Sequence, residues 1–197
     1  GVQTCALPIS LRELGADGID GRWQEARRLV RDNGVTYNVH GDPQGMSRPW
    51  ELDPLPLLIR GDEWASLERG LIQRAELLNA VLCDLYGARS LITKGVLPPE
   101  LVDGFPGYLL PCYGAPMTDD RPLVLYGADL TRDTTGAWRV IGDRTQSPSG
   151  SGYALENRVV LSRVMPSVFR DSHVHRLAGF YRSVRRAMGR IAPGQDD

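Results

Sequence analysis

The stretch that most constrains the fold is residues 139–158, which read RVIGDRTQSPSGSGYALENR. Residues 140–141 predict the end of a buried strand, residues 148–152 predict a glycine-rich loop, and Tyr153 predicts the opening of a helix, with Ser151 as a candidate N-cap. The N–H groups of such a turn, together with the positive end of the following helix, suit an anion such as phosphate. The acidic residues beside them suit a metal ion. We therefore expect a strand–turn–helix unit with binding chemistry at its turn.

The composition limits the class of protein. With 197 residues, of which 42% are hydrophobic, the chain can bury a core and form one domain. The formal net charge of -1 gives no bulk attraction to nucleic acid or to an anionic membrane, so neither is an expected partner. No apolar run approaches the ~18 residues of a membrane helix. Three cysteines without a C-x-x-C pair argue against a disulfide scaffold or a zinc ribbon and favour a cytoplasmic location.

The first nine residues, GVQTCALPI, resemble the translation of a sequencing-adapter oligonucleotide fused to an incomplete reading frame. We therefore expect residues 1–10 to be a non-native tail and residues 11–197 to form a single domain. The alternative is a short native tail, although its apolar run is too short for a secretory signal and lacks a basic start.

The longest helical pattern covers residues 62–86, with Asp62 as its expected cap and Gly87 at its end. Its apolar stripe is expected to face the core and consists of Trp64, Leu67, Leu71, Leu78, Val81, Leu82 and Leu85. Its polar residues are interpreted as a solvated face rather than as ligands, namely Gln73, Arg74 and Asn79. Further helices are predicted at 20–33, 90–94, 100–102, 153–165 and 176–191.

Strand patterns alternate with these helices. A left-handed glycine at Gly34 is expected to end the first helix and to lead into a strand. Strands are predicted at 35–39, 123–126 and 137–141, with a turn at 133–136 and an extended or looped segment at 40–56. The predicted fold is α+β, a mixed, largely antiparallel sheet with flanking helices.

Several well-known motifs do not occur in the sequence. The GSG at 150–152 lacks the third glycine of a dinucleotide fingerprint, there is no GxxxxGK[ST], and the residue two before Ser149 is not the glycine of a GxSxG elbow. His173 and His175 would share a face only in an extended strand, which disfavours a metal role. The arginines of the last helix are interpreted as a solvated basic face, namely Arg182, Arg185, Arg186 and Arg190.

Five ordered blocks carry a resemblance to a known family. They are GVTYN at 34–38, RPWELDP at 48–54, EW with LERGLIQR within 63–74, DLYG at 84–87 and PSGSGYALENR at 148–158. Together they resemble the circularly permuted ATP-grasp family, type 2, over residues 20–192. The resemblance implies an enzyme that phosphorylates a carboxylate with ATP and passes the acyl group to an amine, forming a peptide-like bond. It implies ATP and magnesium as cofactors.

The resemblance also implies roles for individual residues. Asp129 matches the family's first acidic metal ligand, and the implied magnesium site adds Asp143, Glu156 and Asn157. The implied catalytic residues are Asp129, Asp143 and Arg144. Contacts to nucleotide or substrate phosphate are implied for Ser149, Gly150, Ser151, Gly152 and Arg158.

The resemblance is incomplete in the metal-binding segment. Where the family reads EDNT, this chain reads GDRT at 142–145, so Gly142 and Arg144 replace two metal ligands. An arginine there repels a cation and suits an anion. Lys94 is the only lysine, and the family's phosphate clamp comes from a separate subdomain. We therefore expect the remaining ATP-grasp region downstream, and little activity from this fragment alone.

Two other functions stay open at this point. A degenerate, non-catalytic ATP-grasp module would hold an anionic peptide or protein partner with Arg144 and Arg158, without turnover. A structural interaction domain without a ligand would use its Gly-, Pro- and Ser-rich loops only as connections.

Overall fold

The computed structural model of the chain describes residues 6–37, 48–53, 55–116 and 120–192, and for residues 6–11 it describes the backbone alone. The helices are α1 (Ala6–Asp32), α2 (Gly61–Tyr86), α3 (Ser90–Thr93), α4 (Glu100–Asp103), α5 (Ser151–Val164), α6 (Pro166–Asp171) and α7 (Ala178–Ile191), with a 3-10 turn at Leu110–Cys112. The strands are β1 (Thr36–Tyr37), β2 (Arg48–Pro49), β3 (Gly127–Arg132) and β4 (Trp138–Arg144). Each strand pair, β1–β2 and β3–β4, is antiparallel. The predicted α+β class is confirmed.

The chain divides into two compact units. The first joins residues 1–59 to residues 149–177, and the second joins residues 60–148 to residues 178–197. The expectation of one domain over residues 11–197 stays a prediction. Among the described residues, no helix combines the length and hydrophobicity that a membrane crossing requires.

The first unit contains the main hydrophobic core. Its buried members come from α1, α5, α6 and the segments beside them, namely Ala26, Val30, Leu52, Val160, Leu161, Val164, Met165 and Val168. In α1 they recur four residues apart, and in α5 three to four residues apart, so each helix presents one apolar face to the core. Burial of these faces is the main force that holds the unit together.

The C-terminal end of α1 sets the path into β1. Gly34 has φ +67°, the left-handed conformation that glycine adopts without a steric penalty. The N–H of Val35 donates to the carbonyl of Val30, and that of Gly34 to Arg31, so the last carbonyls of the helix are satisfied. The predicted left-handed glycine is confirmed. The predicted strand at 35–39 is observed at Thr36–Tyr37, and residues 38–39 lie outside the described residues.

The limits of α1 and α5 differ from those expected. α1 begins at Ala6 rather than at residue 20, and Gly15, with φ 65°, interrupts the helical backbone. The assignment of residues 1–10 to a non-native tail stays a prediction, although residues 6–10 are helical. Helix α5 begins at Ser151, so the N-cap is Gly150, with φ 103°, and the prediction of Ser151 as the N-cap was wrong.

In the second unit, α2 covers nearly the predicted range. Its N-cap is Arg60, which makes no side-chain capping bond. Asp62 lies inside the first turn, where its carboxylate accepts hydrogen bonds from the Arg60 guanidinium, so the prediction of Asp62 as the cap was wrong. Gly87 ends the helix as predicted, and its N–H donates to the carbonyl of Asp84.

The apolar stripe of α2 is less enclosed than expected. None of the residues of α2 is buried, and Trp64 is 41% exposed. Leu67, Leu71 and the rest of the stripe are half-buried. The prediction that this stripe faces the core was wrong in that no residue of α2 is buried, and Leu67 and Leu71 line an open groove together with Trp138 and Val140.

The segment after α2 is held by hydrogen bonds to side chains of α2 and not by pairing with a strand. The Asp84 carboxylate accepts the N–H groups of Ser90 and Leu91, which starts α3 and lowers the pKa of Asp84. Further on, Asn79 donates to the carbonyl of Asp120 and accepts the N–H of Leu123. The predicted strand at 123–126 was therefore wrong, because Asn79 takes a backbone group that a strand partner would need.

The hairpin of β3 and β4 starts at Gly127 and runs to Arg144. Its turn at 133–136 is confirmed, and Asp133 holds it by accepting the N–H groups of Thr135 and Ala137. A register shift between Asp129 and Leu130 leaves Ile141 without a cross-strand partner. Ile141 is 69% exposed, so the expectation that a buried strand ends there was wrong.

Candidate functional site

The hairpin places the predicted acidic residues on opposite faces. Across the two strands, Asp129 pairs with Gly142, Ala128 with Asp143, and Gly127 with Arg144. Paired residues of an antiparallel ladder share a face, and consecutive residues alternate between faces. Asp129, Gly142 and Arg144 therefore lie on one face, which we call the outer face. Asp143 lies on the other, which we call the inner face because its side chains contact α2.

On the outer face, two guanidinium nitrogens of Arg144 contact the Asp129 carboxylate. The Nε atom of Arg144 lies 3.1 and 3.0 Å from the two carboxylate oxygens, and its Nη2 atom lies 2.9 Å from Oδ2. The Arg144 side chain is 64% exposed and that of Asp129 44%. The hydrogen bonds to Asp129 raise the pKa of Arg144, so the guanidinium keeps its charge. This is a charge-assisted bidentate pair that water can reach.

Gly142 makes room for this pair. A Cβ atom at residue 142 would lie 3.1 Å from Asp129 Oδ2 and 3.6 Å from its Cβ. Without that atom, the Asp129 carboxylate lies over the backbone of β4 and reaches Arg144. The two departures from the family pattern, at residues 142 and 144, thus belong to one local arrangement.

On the inner face, Asp143 is enclosed by two donors. Nε and Nη2 of Arg74 lie 2.6 Å from Oδ1 and Oδ2, and the Tyr126 hydroxyl lies 2.6 Å from Oδ1. The bonds from Arg74 and Tyr126 lower the pKa of Asp143 to about 2. Burial, together with the bond to Asp143, raises the pKa of Tyr126 to about 12. At neutral pH Asp143 is an ionised carboxylate whose oxygens are already occupied.

A second polar bridge joins α2 to the far end of the hairpin. Glu63 Oε1 accepts hydrogen bonds from Arg132 Nη2 and Trp138 Nε1, each at 2.7 Å. Glu63 and Arg74 are about three helical turns apart on one face of α2. The two bridges hold the hairpin to α2 and leave a groove of about 800 Å³ between them. Its walls include Leu67, Leu71 and Val140.

The predicted phosphate loop belongs to the first unit. Gly150 caps α5, and its carbonyl accepts the N–H of Ala154 at 2.9 Å. Ser149, Ser151 and Gly152 are exposed at the start of α5. The first turn of α5 carries no acidic residue, so its positive end is not neutralised from within the helix. Phosphate binding by this loop stays a prediction.

The other predicted site residues on α5 bind their own unit. Glu156 accepts a hydrogen bond from Asn33 Nδ2, and Asn157 Oδ1 accepts one from Trp50 Nε1 at 2.8 Å. Arg158 donates to the carbonyl of His175. These contacts connect α5 to the segments around it.

An aromatic contact strengthens that connection. The Trp50 ring stacks on Tyr153 with their centroids 4.2 Å apart, and the Tyr153 hydroxyl donates to the carbonyl of Thr36 at 2.8 Å. Trp50 and Asn157 belong to two of the sequence blocks that carry the family resemblance. The sequence did not predict that they bind each other.

The predicted metal ligands do not form a cluster in the part of the chain that the structure describes. No group of three or more His, Cys, Asp or Glu side chains there is arranged to hold a metal ion. Within the second unit, Asp129 and Asp143 point to opposite faces and each binds an arginine. His173 and His175 lie in the loop after α6, outside any strand. A metal ion held jointly by Asp129 and Asp143 does not fit this hairpin.

The sequence did not predict the partner of Asp143. Arg74 was interpreted as part of a solvated face, yet it makes a bidentate ion pair with a residue 69 positions away. The spacing of Glu63 and Arg74 on one helical face was the available signal, but it does not name the strand residues opposite. The arginines of α7 are exposed as predicted.

Comparison with known proteins identifies the family. The model of the circularly permuted ATP-grasp type 2 family matches residues 56–197, which include α2, the hairpin and α5. The chain belongs to this family. The resemblance inferred from the five sequence blocks is thereby confirmed.

Proteins similar to this chain occur in several bacteria. An uncharacterized protein of Mycobacterium tuberculosis (strain ATCC 25618 / H37Rv) is 38% identical over 195 residues, which cover 95% of this chain and 22% of that protein. An uncharacterized protein of Synechocystis sp. is 35% identical over 191 residues, covering 97% of this chain and 40% of the relative. A protein of Frankia alni named "Putative glutamate--cysteine ligase 2-3" is 37% identical over 163 residues, covering 83% and 19%. The chain thus spans about a fifth to two fifths of the length of these relatives.

Proposed function

We propose that this chain is part of an ATP-dependent ligase that activates a carboxylate and joins it to an amine. The observation that carries the proposal is the family match over residues 56–197, which includes both the hairpin and the glycine-rich start of α5. The ligase name of the Frankia relative supports the same reaction class. The two compounds in that name, glutamate and cysteine, carry carboxylates and amines, which agrees with a carboxylate–amine ligation.

The proposed reaction has two steps. A carboxylate oxygen of the substrate attacks the γ-phosphorus of ATP, and the bond to ADP breaks, which leaves an acyl phosphate. The amine nitrogen then attacks the acyl carbon, phosphate leaves with the bonding electrons, and the amine loses a proton. Both steps move negative charge among phosphate oxygens, so positive groups close to those oxygens stabilise the transition states.

Two features of this chain suit those oxygens. The start of α5 presents backbone N–H groups behind Gly150, and helix N-termini favour anions. Arg144 presents an exposed guanidinium on the outer face of the hairpin. Because the two features belong to different units, we assign a separate phosphate or carboxylate contact to each.

Magnesium is part of the proposal only as a companion of the nucleotide. Magnesium prefers oxygen ligands in near-octahedral geometry, and it is often held by one or two carboxylates together with substrate phosphates. Asp129 and Asp143 cannot share one ion across the hairpin, and arginines occupy both. Glu156 and Asn157 hold contacts within the first unit.

Thermal unfolding of the protein encoded by the complete reading frame tests the proposal. Ligand that binds the native state stabilises it by mass action, about 2.7 kcal/mol at a hundredfold excess over Kd. ATP with magnesium should therefore raise the melting temperature, and ADP should accumulate when carboxylates and amines are supplied together. Absence of both a shift and ADP release would refute the ligase proposal. GTP in place of ATP is the control for nonspecific polyanion binding.

A further inference from the structure

The outer face of the hairpin carries a guanidinium that is oriented but not enclosed. Nε and Nη2 of Arg144 are held by Asp129. No hydrogen bond among the described residues uses its Nη1 atom. With 64% of the side chain exposed, the outer edge of the guanidinium is open to solvent. A planar fork of donors in this position matches the oxygens of a phosphate or a carboxylate.

The Arg144–Asp129 pair contributes little to stability. Exposed ion pairs contribute about 0–1 kcal/mol, because water screens the charges and two side chains lose freedom. Arg139, on the same strand and 66% exposed, shows the ordinary case, since its partner Asp133 also holds the hairpin turn. Asp129 makes no such turn contact, and its carboxylate accepts hydrogen bonds from Arg144.

The position of the two charges, with Arg144 more exposed than Asp129, selects the kind of ligand. A cation approaching Asp129 would meet the Arg144 guanidinium and would have to displace it. An anion approaching from solvent meets the guanidinium edge, while Asp129 behind it keeps the group in one orientation. Pre-orientation of this kind lowers the entropy cost of binding.

We propose that Arg144, oriented by Asp129 across Gly142, binds an anionic oxygen group of the ligand without a metal ion at this position. The group is a phosphate or a carboxylate, and both sources present the same oxygens. The assignment of that group to a nucleotide or to the acid substrate rests on the proposed ligase function. The inference that Arg144 binds an anion does not rest on the ligase function.

Titration calorimetry in EDTA tests this inference on the protein encoded by the complete reading frame. The probes are ADP and pyrophosphate for the phosphate source, and N-acetylglutamate for the carboxylate source. The wild type should bind at least one of the two classes, and Arg144→Ala should weaken that binding about tenfold, as expected for loss of a charge-assisted hydrogen bond. Arg144→Lys should lose less, because it keeps the charge without the fork.

Arg139→Ala is the matched control, because it removes an arginine of similar exposure from the same strand, and its affinities should equal those of the wild type. Gly142→Ala adds a Cβ atom 3.1 Å from Asp129 Oδ2, so it should weaken binding severalfold through displacement of Asp129. Circular dichroism shows whether each variant is folded, and Arg144→Gln replaces Arg144→Ala if that variant is not.

Three results would overturn the inference: no binding of any probe to the wild type in EDTA, equal affinities of the wild type and Arg144→Ala, or tighter magnesium-dependent binding in Arg144→Ala. The last would mean that arginine merely blocks a metal site. Failure of the ligase assays together with Arg144-dependent anion binding would refute the proposed function and leave this inference standing.

Discussion

The ion pair between Arg74 and Asp143 makes a stability prediction whose size follows from the structure. The bonds to Asp143 lower its pKa from 3.8 to about 2. A shift of that size corresponds to about 2.4 kcal/mol if none is lost to solvent. The Arg74 side chain is 45% exposed and that of Asp143 22%, so screening reduces the figure. We expect Arg74→Ala to lower the free energy of unfolding at pH 7 by about 1 kcal/mol.

The pH dependence of this loss has a definite sign. Because the folded-state pKa of Asp143 lies below its unfolded-state value, the stabilisation is fully present above pH 4 and disappears as the pH falls to about 2. The difference between wild type and Arg74→Ala should therefore be largest near neutrality and should shrink between pH 4 and pH 2. Asp133, whose pKa is also about 2, contributes equally to both proteins and cancels.

Urea unfolding followed by tryptophan fluorescence at pH 7, 4 and 2.5 measures this difference. Arg69→Ala, which removes another exposed arginine from the same helix, is the matched control and should change stability little at any of these values. A gap between wild type and Arg74→Ala that stays constant down to pH 2.5 would refute the electrostatic explanation. A pKa near 4 for Asp143, read from carboxyl chemical shifts, would refute it as well.

Two other predictions concern contacts that the sequence did not reveal. The wild type should lose stability between pH 10 and pH 12, because a pKa raised to about 12 keeps the Tyr126 hydroxyl protonated in the folded state where the unfolded chain ionises, and Tyr126→Phe should remove this loss. Urea denaturation midpoints at pH 9 and pH 11 measure it. An equal change of midpoint between the two pH values in wild type and Tyr126→Phe would contradict the prediction. Trp50→Phe keeps a ring to stack on Tyr153 but removes the donor to Asn157, so it should lower the free energy of unfolding by about 1 kcal/mol. An unchanged free energy of unfolding in urea would show that this hydrogen bond contributes nothing.

Local signals in the sequence were sufficient for much of the secondary structure. The helical period placed α2 to within one residue, and Asn33–Gly34 and the turn at 133–136 lie where turn chemistry predicted them. Those features depend on neighbouring residues alone, through helical spacing, positive φ and short-range hydrogen bonds. The family resemblance was also available, because it rests on blocks of residues rather than on contacts.

Pairing across the chain was not available from such signals. The segment at 123–126 has the composition of a strand, but Asn79 of a distant helix binds its backbone. The register shift beside Asp129 exposes Ile141 although its neighbours are half-buried. Each outcome depends on which groups distant in the sequence pair with one another, and hydrophobic periodicity carries no information about that.

The candidate site shows the same division. The sequence by itself determined that Asp129, Asp143 and Arg144 lie near one another along a hairpin, which a glycine-rich helix start follows in the chain. Only the tertiary structure decided that Asp143 turns toward Arg74 and α2 while Asp129 turns away to hold Arg144. The physical reason is that strand register decides the face of every side chain, and a shift of one residue reverses it. That register separates two carboxylates that the sequence would place on one metal ion, and it leaves a guanidinium facing solvent.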